Sequence, residues 1–179
     1  GRNFTEITTL LAPVSDISIN SNNPKEVFVT TSSRVDIAYV DQPPNPSVWR
    51  INATDKTAID RQDLTADLPN DQVYFSIAHQ PRDPKNSLFV GTNLGVYRTD
   101  DSQTGWELYG SNLPNTAVSD LELSVEDAII AASTYGRGVF TSPISVEKAD
   151  FDIGISQLSV LSPKIFKPAE AQFEAQLKN

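Results

Sequence analysis

Cysteine and methionine are both absent from this chain of 179 residues, and histidine occurs once. Without cysteine, the chain has no disulfides, no thiol catalysis and no cysteine-ligated metal site. The chain begins at Gly1, with no initiator methionine and no apolar leader. We therefore expect it to be a processed or excised piece of a longer polypeptide.

Basic residues are also scarce: 14 Lys and Arg face 23 Asp and Glu, so the formal net charge is −9. Binding to nucleic acid requires a basic stripe, and we find none, so we expect no nucleic-acid partner. No apolar run is long enough to cross a bilayer. The scattered carboxylates favour a solvated acidic surface, and the pair Asp100 and Asp101 lacks calcium-loop spacing. We predict no metal and no cofactor.

The pattern that organises the chain is a strand, a glycine turn and a second strand at residues 128–141. Residues 128–132 form an apolar run that is long enough for a strand and too short for an average helix. Gly136 and Gly138 flank Arg137, and glycine accepts the backbone angles of a tight turn. The sequence therefore predicts a β-hairpin.

The same hairpin pattern recurs twice upstream, at residues 87–98 and, in a less regular form, at 26–39. The spacing between copies is unequal, which is typical of variable surface loops on a repeated sheet. Repeats of about 40 to 50 residues, each made of short strands, are typical of β-propeller blades. We also predict an edge strand over residues 1–8, with Phe4 and Ile7 pointing inward, and a strand over 14–19.

Residues 114–121 and 129–140 resemble the last blade of Asp-box propellers. This is the sialidase-like, neuraminidase-repeat class, which includes xyloglucanases and sortilin. Residues 99–106 match the length of the box S-x-D-x-G-x-T-W and place Asp101 and Trp106 on its Asp and Trp. Gln103 and Gly105 replace the glycine and the threonine of the box. Residues 1–4 resemble the tail end of another box.

The resemblance implies structural roles for the matched residues. In that family the box Asp caps backbone amides between the third and fourth strands of a blade, and the aromatic residue packs between blades. Asp101 and Trp106 are therefore expected to hold the fold rather than a ligand. The motif of the last blade covers Tyr135, Gly136, Arg137 and Gly138, where Arg137 is expected to be a solvated turn residue more than a binding group.

Residues 1–145 are thus predicted to form about three blades of four-stranded antiparallel sheet, the C-terminal part of a propeller. The predicted segments are an outer strand over 1–12, full blades over 14–68 and 73–113, and inner strands over 118–144. A closed propeller has about four to eight blades. The remaining blades must come from the same precursor, another chain or further copies; otherwise the hairpins would close a smaller sandwich.

A second domain follows a linker over residues 146–150. Phe151, Ile153 and Ile155 alternate, and the apolar phase then shifts, which predicts a bulge. Residues 151–179 resemble the truncated start of a bacterial adhesion-type Ig-like β-sandwich. A propeller followed by such a domain resembles the modular secreted or cell-surface proteins of bacteria.

No catalytic residue can be assigned from the sequence. His79 lacks a nearby serine elbow and is expected to be a surface residue at a strand end. The carboxylates that remain are candidates by residue type only: Asp36, Asp60, Asp63, Asp83 and Asp120. We favour a non-catalytic binding or scaffold segment that presents loops 41–47 and 52–63 to a glycan or protein. The alternatives are part of a glycoside hydrolase with its catalytic carboxylates on other blades, and a structural spacer.

Overall fold

A computed structural model describes residues 3–4, 6, 10, 12–32, 45–52, 60–146, 154–160 and 173–178. The chain divides into two compact units, Gly1–Val146 and Glu147–Asn179. Every regular element in the described ranges is a β-strand. The described ranges therefore contain no helix of the length and apolarity that a membrane span needs.

The first unit contains three antiparallel sheets in which each strand pairs with the next along the chain. The first sheet comprises β1 (Val14–Ile19), β2 (Glu26–Thr31), β3 (Ser47–Asn52) and β4 (Asp60–Asp63). The second comprises β5 (Tyr74–His79), β6 (Leu88–Thr92), β7 (Gly95–Thr99) and β8 (Glu107–Tyr109). The third comprises β9 (Val118–Ser124), β10 (Ile129–Thr134) and β11 (Gly138–Pro143).

The first strands of the three sheets lie side by side, β1 against β5 and β5 against β9. Two apolar cores fill the spaces between the sheets. The first core contains Phe28 and Val48 of the first sheet together with Tyr74 of the second. The second core joins Phe89 of the second sheet to Leu121 of the third. The fold is all-β and forms part of a β-propeller, which confirms the predicted fold class.

The hairpin at the centre of the sequence analysis forms as predicted. β10 and β11 pair from Ile129 opposite Pro143 to Thr134 opposite Gly138. Gly136 and Gly138 have φ angles of 75° and 88°, which few residues other than glycine adopt. The backbone geometry of this turn therefore explains why glycine occupies both positions.

The predicted inward orientation of Phe4 is wrong. Its side chain is fully exposed, and residues 3, 4 and 6 belong to no strand. The physical reason is that no strand in the described ranges pairs with this segment, so nothing covers the ring. Ile7 lies outside the described residues.

The second unit contains one antiparallel pair, β12 (Gly154–Val160) and β13 (Phe173–Lys178). Their register shifts between Ile155 and Gln157, which is where the apolar phase of the sequence changes. The boundary between the units falls after Val146, inside the predicted linker.

Candidate functional site

A polar cavity of about 290 Å³ lies between the first and second sheets, and we call it the inter-sheet groove. One wall comes from β3, β4 and the residues that follow them. The other comes from the turn before β6 and the turn between β7 and β8. Its principal lining residues are Arg50, Gln62, Asp63, Leu64, Asn86, Asp100, Asp101 and Trp106.

The residues that were matched to the Asp-box form the turn between β7 and β8, and the carboxylate that caps this turn is that of Asp100. Its Oδ1 accepts a hydrogen bond of 2.9 Å from the backbone N–H of Ser102. The backbone carbonyl of Asp100 accepts another, of 3.0 Å, from the N–H of Gln103. Asp101 therefore does not have the capping role that the sequence match gave it.

Asp101 instead links the two sheets. Its Oδ1 lies 3.3 Å from Nη2 of Arg50 on the first sheet. Its Oδ2 accepts a hydrogen bond of 2.6 Å from Nδ2 of Asn86. Because about half of the Asp101 side chain is exposed, solvent screens this ion pair, and its contribution to stability is small.

Asp100 is held in its ionised form. Burial alone would raise the pKa of this carboxyl, but the hydrogen bonds from Ser102 and the ion pair with Arg98 lower it below its ordinary value. The distance from Arg98 Nη2 to Asp100 Oδ2 is 2.7 Å. A general acid of a glycosidase needs a raised pKa. Asp100 is therefore unsuited to that role.

Trp106 lines the groove and contacts both sheets. Its indole N–H donates a hydrogen bond of 2.9 Å to the carbonyl of Leu64. Its backbone N–H donates one of 2.7 Å to Oδ1 of Asp67. The half-buried ring packs against the first core. Trp106 thus lies between neighbouring sheets.

Arg50 is the cation of the groove. Its guanidinium carbon lies 5.5 Å from the centre of the Phe28 ring, within cation–π range. The Nε atom lies 3.9 Å from Oε1 of Glu26, which is too long for a hydrogen bond. Arg50 is therefore oriented by a ring and by two carboxylates.

A second cavity, of about 240 Å³, lies on the opposite face of the first sheet, and we call it the outer cavity. It is opposite because Trp49, which lines it, neighbours Arg50 on β3, and adjacent strand residues point to opposite faces. Arg61 lies over the Trp49 ring at 5.5 Å. From the described ends of the predicted binding loops, Asn45, Ser47 and Arg61 line the outer cavity. Gln62 and Asp63 line the inter-sheet groove.

His79 is buried rather than exposed, so the surface prediction is wrong. It ends β5 as expected, but its ring stacks on Phe28 with 5.3 Å between the centroids. The first sheet therefore covers it. Burial lowers the pKa of the imidazole, and the side chain of Asn86 opposes this shift. No feature of the residues next to His79 signals this burial.

The other candidate carboxylates do not form a group. Asp83 caps its own turn by accepting from the backbone N–H of Lys85 and Ser87, at 3.1 and 3.0 Å. Asp120 accepts from the adjacent N–H of Leu121. Asp60 lies at the exposed start of β4, and Asp36 lies outside the described residues. Of the five, Asp63 alone lines the inter-sheet groove.

The motif of the last blade lies at the turn between β10 and β11. Tyr135 and Arg137 are exposed, and the backbone N–H of Tyr135 donates to the carbonyl of Ala117 at 2.8 Å. Neither residue lines the two cavities described above. Within the described ranges, no cluster of acidic residues and histidine has an arrangement that could hold a metal ion.

The arrangement of the three sheets defines the class of fold as a partial antiparallel β-propeller. A solved structure with a similar fold is the GH74 enzyme of Niastella koreensis, with a TM-score of 0.52 and 11% sequence identity. The likeness covers 82% of this chain and 24% of that enzyme. The chain thus spans about a quarter of the length of the enzyme that it matches. No family model and no curated protein matches the chain.

Proposed function

We propose that this chain is a non-catalytic binding segment of a secreted or cell-surface propeller protein, and that the inter-sheet groove binds a glycan. The observation that carries the proposal is the content of the groove. Trp106 supplies a flat apolar surface, and Arg50, Asn86 and Asp63 supply donors and acceptors around it. A ligand site typically combines apolar or aromatic lining with a few placed polar groups.

The carboxylates of the groove favour binding over catalysis. Asp100 is ion-paired with Arg98, and Asp101 is bound by Arg50 and Asn86. Both therefore stabilise the fold and can accept hydrogen bonds from sugar hydroxyls at the same time. The lowered pKa of Asp100 makes this residue unsuited to act as a general acid.

The two tryptophans allow a direct test, because Trp106 lines the groove and Trp49 lines the outer cavity. We would titrate the chain with neutral cello-, xylo- and galacto-oligosaccharides and follow intrinsic fluorescence. In Trp49→Phe the emission reports on the groove alone, and in Trp106→Phe on the outer cavity alone. Saturable quenching in Trp49→Phe, absent in Trp106→Phe, supports the proposal. No response from either variant at millimolar sugar would refute it.

A second function, part of a glycoside hydrolase, is favoured by the likeness to the GH74 enzyme. In this case the catalytic pair lies on other blades, and the groove contributes a sugar-binding position. A glycosidase needs two carboxyl groups about 5 to 10 Å apart across the sugar bond. With the catalytic pair on other blades, this chain alone should release no reducing sugar; release by this chain alone, abolished in Asp63→Asn, would place a catalytic carboxylate in the groove instead. A chain that neither binds nor hydrolyses would be a structural spacer.

The proposal includes further blades as partners, from the same precursor, another chain or further copies. Two observations support it. The apolar side chains of β1 are more than half exposed, as an uncovered sheet face would be, and the likeness covers only 24% of the matched enzyme. The native mass of the intact particle tests it: a stable monomer of this chain alone would contradict the partial propeller.

A further inference from the structure

A row of four side chains crosses the first sheet on the face that meets the second. Ser18, Phe28, Arg50 and Gln62 lie opposite one another in the pairings of β1 to β4. Residues that lie opposite each other in an antiparallel sheet project from the same face. Arg50 and Gln62 line the inter-sheet groove, whereas Phe28 is fully buried. The row therefore runs from the groove into the interior between the two sheets.

His79 of the second sheet covers the buried end of this row. Its backbone N–H donates a hydrogen bond of 3.0 Å to the uncharged Oγ of Ser18. Its ring, in a residue that is only 4% exposed, stacks on Phe28 with 5.3 Å between the centroids. The guanidinium carbon of Arg50 lies 5.5 Å from the centre of the same Phe28 ring. A single ring thus contacts both His79 and the cation of the groove.

Asn86 forms a second connection between His79 and the groove. Its side chain lies close enough to His79 to oppose the lowering of the pKa of the imidazole. Its Nδ2 donates a hydrogen bond of 2.6 Å to Oδ2 of Asp101, and Asp101 is the ion-pair partner of Arg50. His79 is therefore connected to both members of the ion pair that lines the groove.

Three charged groups face His79 from the elements packed around it: Arg50 of β3, Glu26 of β2 and Asp83 of the turn before β6. Burial, the largest cause, lowers the pKa of His79, and Arg50 lowers it further, whereas Asn86 and the two carboxylates raise it. A proton on His79 would accordingly repel Arg50 and attract Glu26, whose Oε1 lies 3.9 Å from Nε of Arg50. The charge of the imidazole thus acts on the position of the guanidinium in the groove.

We propose that His79 is a positioning residue of the inter-sheet groove: the neutral imidazole keeps Arg50 and Asp101 in place for a glycan, and protonation of the imidazole releases the glycan. This inference rests on the function proposed above for the groove. Uptake of one proton by His79 accompanies release of one ligand. The affinity should therefore fall as the pH decreases through the pKa of His79, by at most about tenfold per pH unit.

The first test needs no substitution. Histidine occurs once in the chain, so the imidazole C–H signals in a proton NMR spectrum come from His79 alone. We would measure its pKa in the free chain and in the chain saturated with the tightest-binding of the neutral cello-, xylo- and galacto-oligosaccharides. If the neutral form of His79 favours binding tenfold, the pKa should be lower by about one pH unit with the sugar bound. An unchanged pKa would overturn the proposal.

The second test compares affinities in the Trp49→Phe chain, whose emission reports on the groove. Between one pH unit above and one below the pKa measured for His79, the affinity should fall about fivefold. His79→Phe retains a ring against Phe28 but cannot be charged, and it should bind with the same affinity at both pH values. A matched control, Ser18→Ala, weakens the same contact without altering the imidazole and should retain the fall. Circular dichroism first establishes that each variant is folded at both pH values.

The outcomes separate this inference from the function proposed for the groove. Saturable binding with the same affinity at both pH values would refute the role of His79 alone. A pH dependence that persists in His79→Phe would also refute it, because the titrating group would then lie elsewhere. No saturable response to any of the three sugars above the pKa of His79 would refute both. The NMR titration decides the question even if His79→Phe fails to fold.

Discussion

The first and third sheets begin with nearly the same sequence, VSDISI over residues 14–19 and VSDLEL over 118–123, but differ in burial. Ile17 of β1 is 58% exposed, whereas Leu121, at the same place in β9, is 5% exposed. The difference arises because the second sheet covers Leu121, while no sheet in the described ranges covers Ile17. The alternating pattern therefore encodes a face that packs on a preceding sheet, whether or not that sheet is present.

Asp16 and Asp120, the aspartates that precede Ile17 and Leu121, also differ, but here it is the residue of the first sheet that makes the additional contact. Asp16 binds its own neighbour, Ile17 N–H, and also the N–H of Ile77 on the following sheet, both at 2.8 Å. Asp120 makes the local bond to the N–H of Leu121, at 3.0 Å, with no following sheet in the described part of the chain. The first sheet thus directs its carboxylate towards the sheet that follows it, whereas the same carboxylate of the third sheet makes only the local bond.

The largest expected effect is a difference in stability between variants of Leu121 and Ile17. Leu121→Ala should lower the free energy of unfolding by about 2 to 4 kcal/mol, because it leaves a void in the second core. Ile17→Ala should cost less than about 1 kcal/mol, because its side chain is already largely in water. Urea unfolding of the two variants checks this. Equal costs would mean that β1 is covered in solution.

The next largest effect is a difference in stability between variants of Asp16 and Asp120. Asp16→Ala removes the acceptor of the Ile77 N–H and should cost about 1 to 2 kcal/mol. Asp120→Ala removes only a local bond and should stay within about 0.5 kcal/mol of the parent. Thermal unfolding monitored by circular dichroism measures both variants. A larger loss for Asp120→Ala than for Asp16→Ala would contradict the assigned direction of the sheets.

The pH dependence of stability extends the comparison to β5, where His79 holds the place of the exposed Ile19. Burial lowers the pKa of His79 below its ordinary 6.5. The unfolded chain therefore binds this proton first as the pH falls, and the free energy of unfolding decreases through pH 6.5, by up to about 1.4 kcal/mol per pH unit. His79→Leu should remove this part of the decrease between pH 7.5 and 5.5. An identical pH profile in the variant would show that His79 is solvated.

The smallest effect is expected at the turn of the last blade. Tyr135→Ala and Arg137→Ala should each change stability by less than about 0.5 kcal/mol, because both side chains are exposed. Trp106→Phe should cost more, because it leaves the carbonyl of Leu64 without its donor. Parallel denaturant titrations give the order. A large loss at Tyr135 would indicate a packing partner beyond the described residues.

Local patterns in the sequence were sufficient for the hairpins, since strand length, β-branched residues and paired glycines are all determined within a dozen residues. They were not sufficient for His79, whose burial depends on Phe28 in another sheet. The inter-sheet groove was also missed, because its central ion pair joins Arg50 to Asp101, 51 residues apart. The match to the Asp-box was made by length and not by backbone geometry, and it gave the cap to Asp101, whereas the carboxylate of Asp100 caps this turn.

Hydrogen bonds from two backbone amides of β5 to side chains of β1 make the exchange of these amides a measure of how firmly the first two sheets pack together. β5 is the edge strand of its sheet, and its amides at Ile77 and His79 donate to Asp16 Oδ2 and Ser18 Oγ of the first sheet instead of to another strand. Their exchange with solvent deuterium requires separation of the two sheets and leaves the ladder between β5 and β6 intact. A protection factor at these two positions therefore measures the free energy that holds one blade against the next.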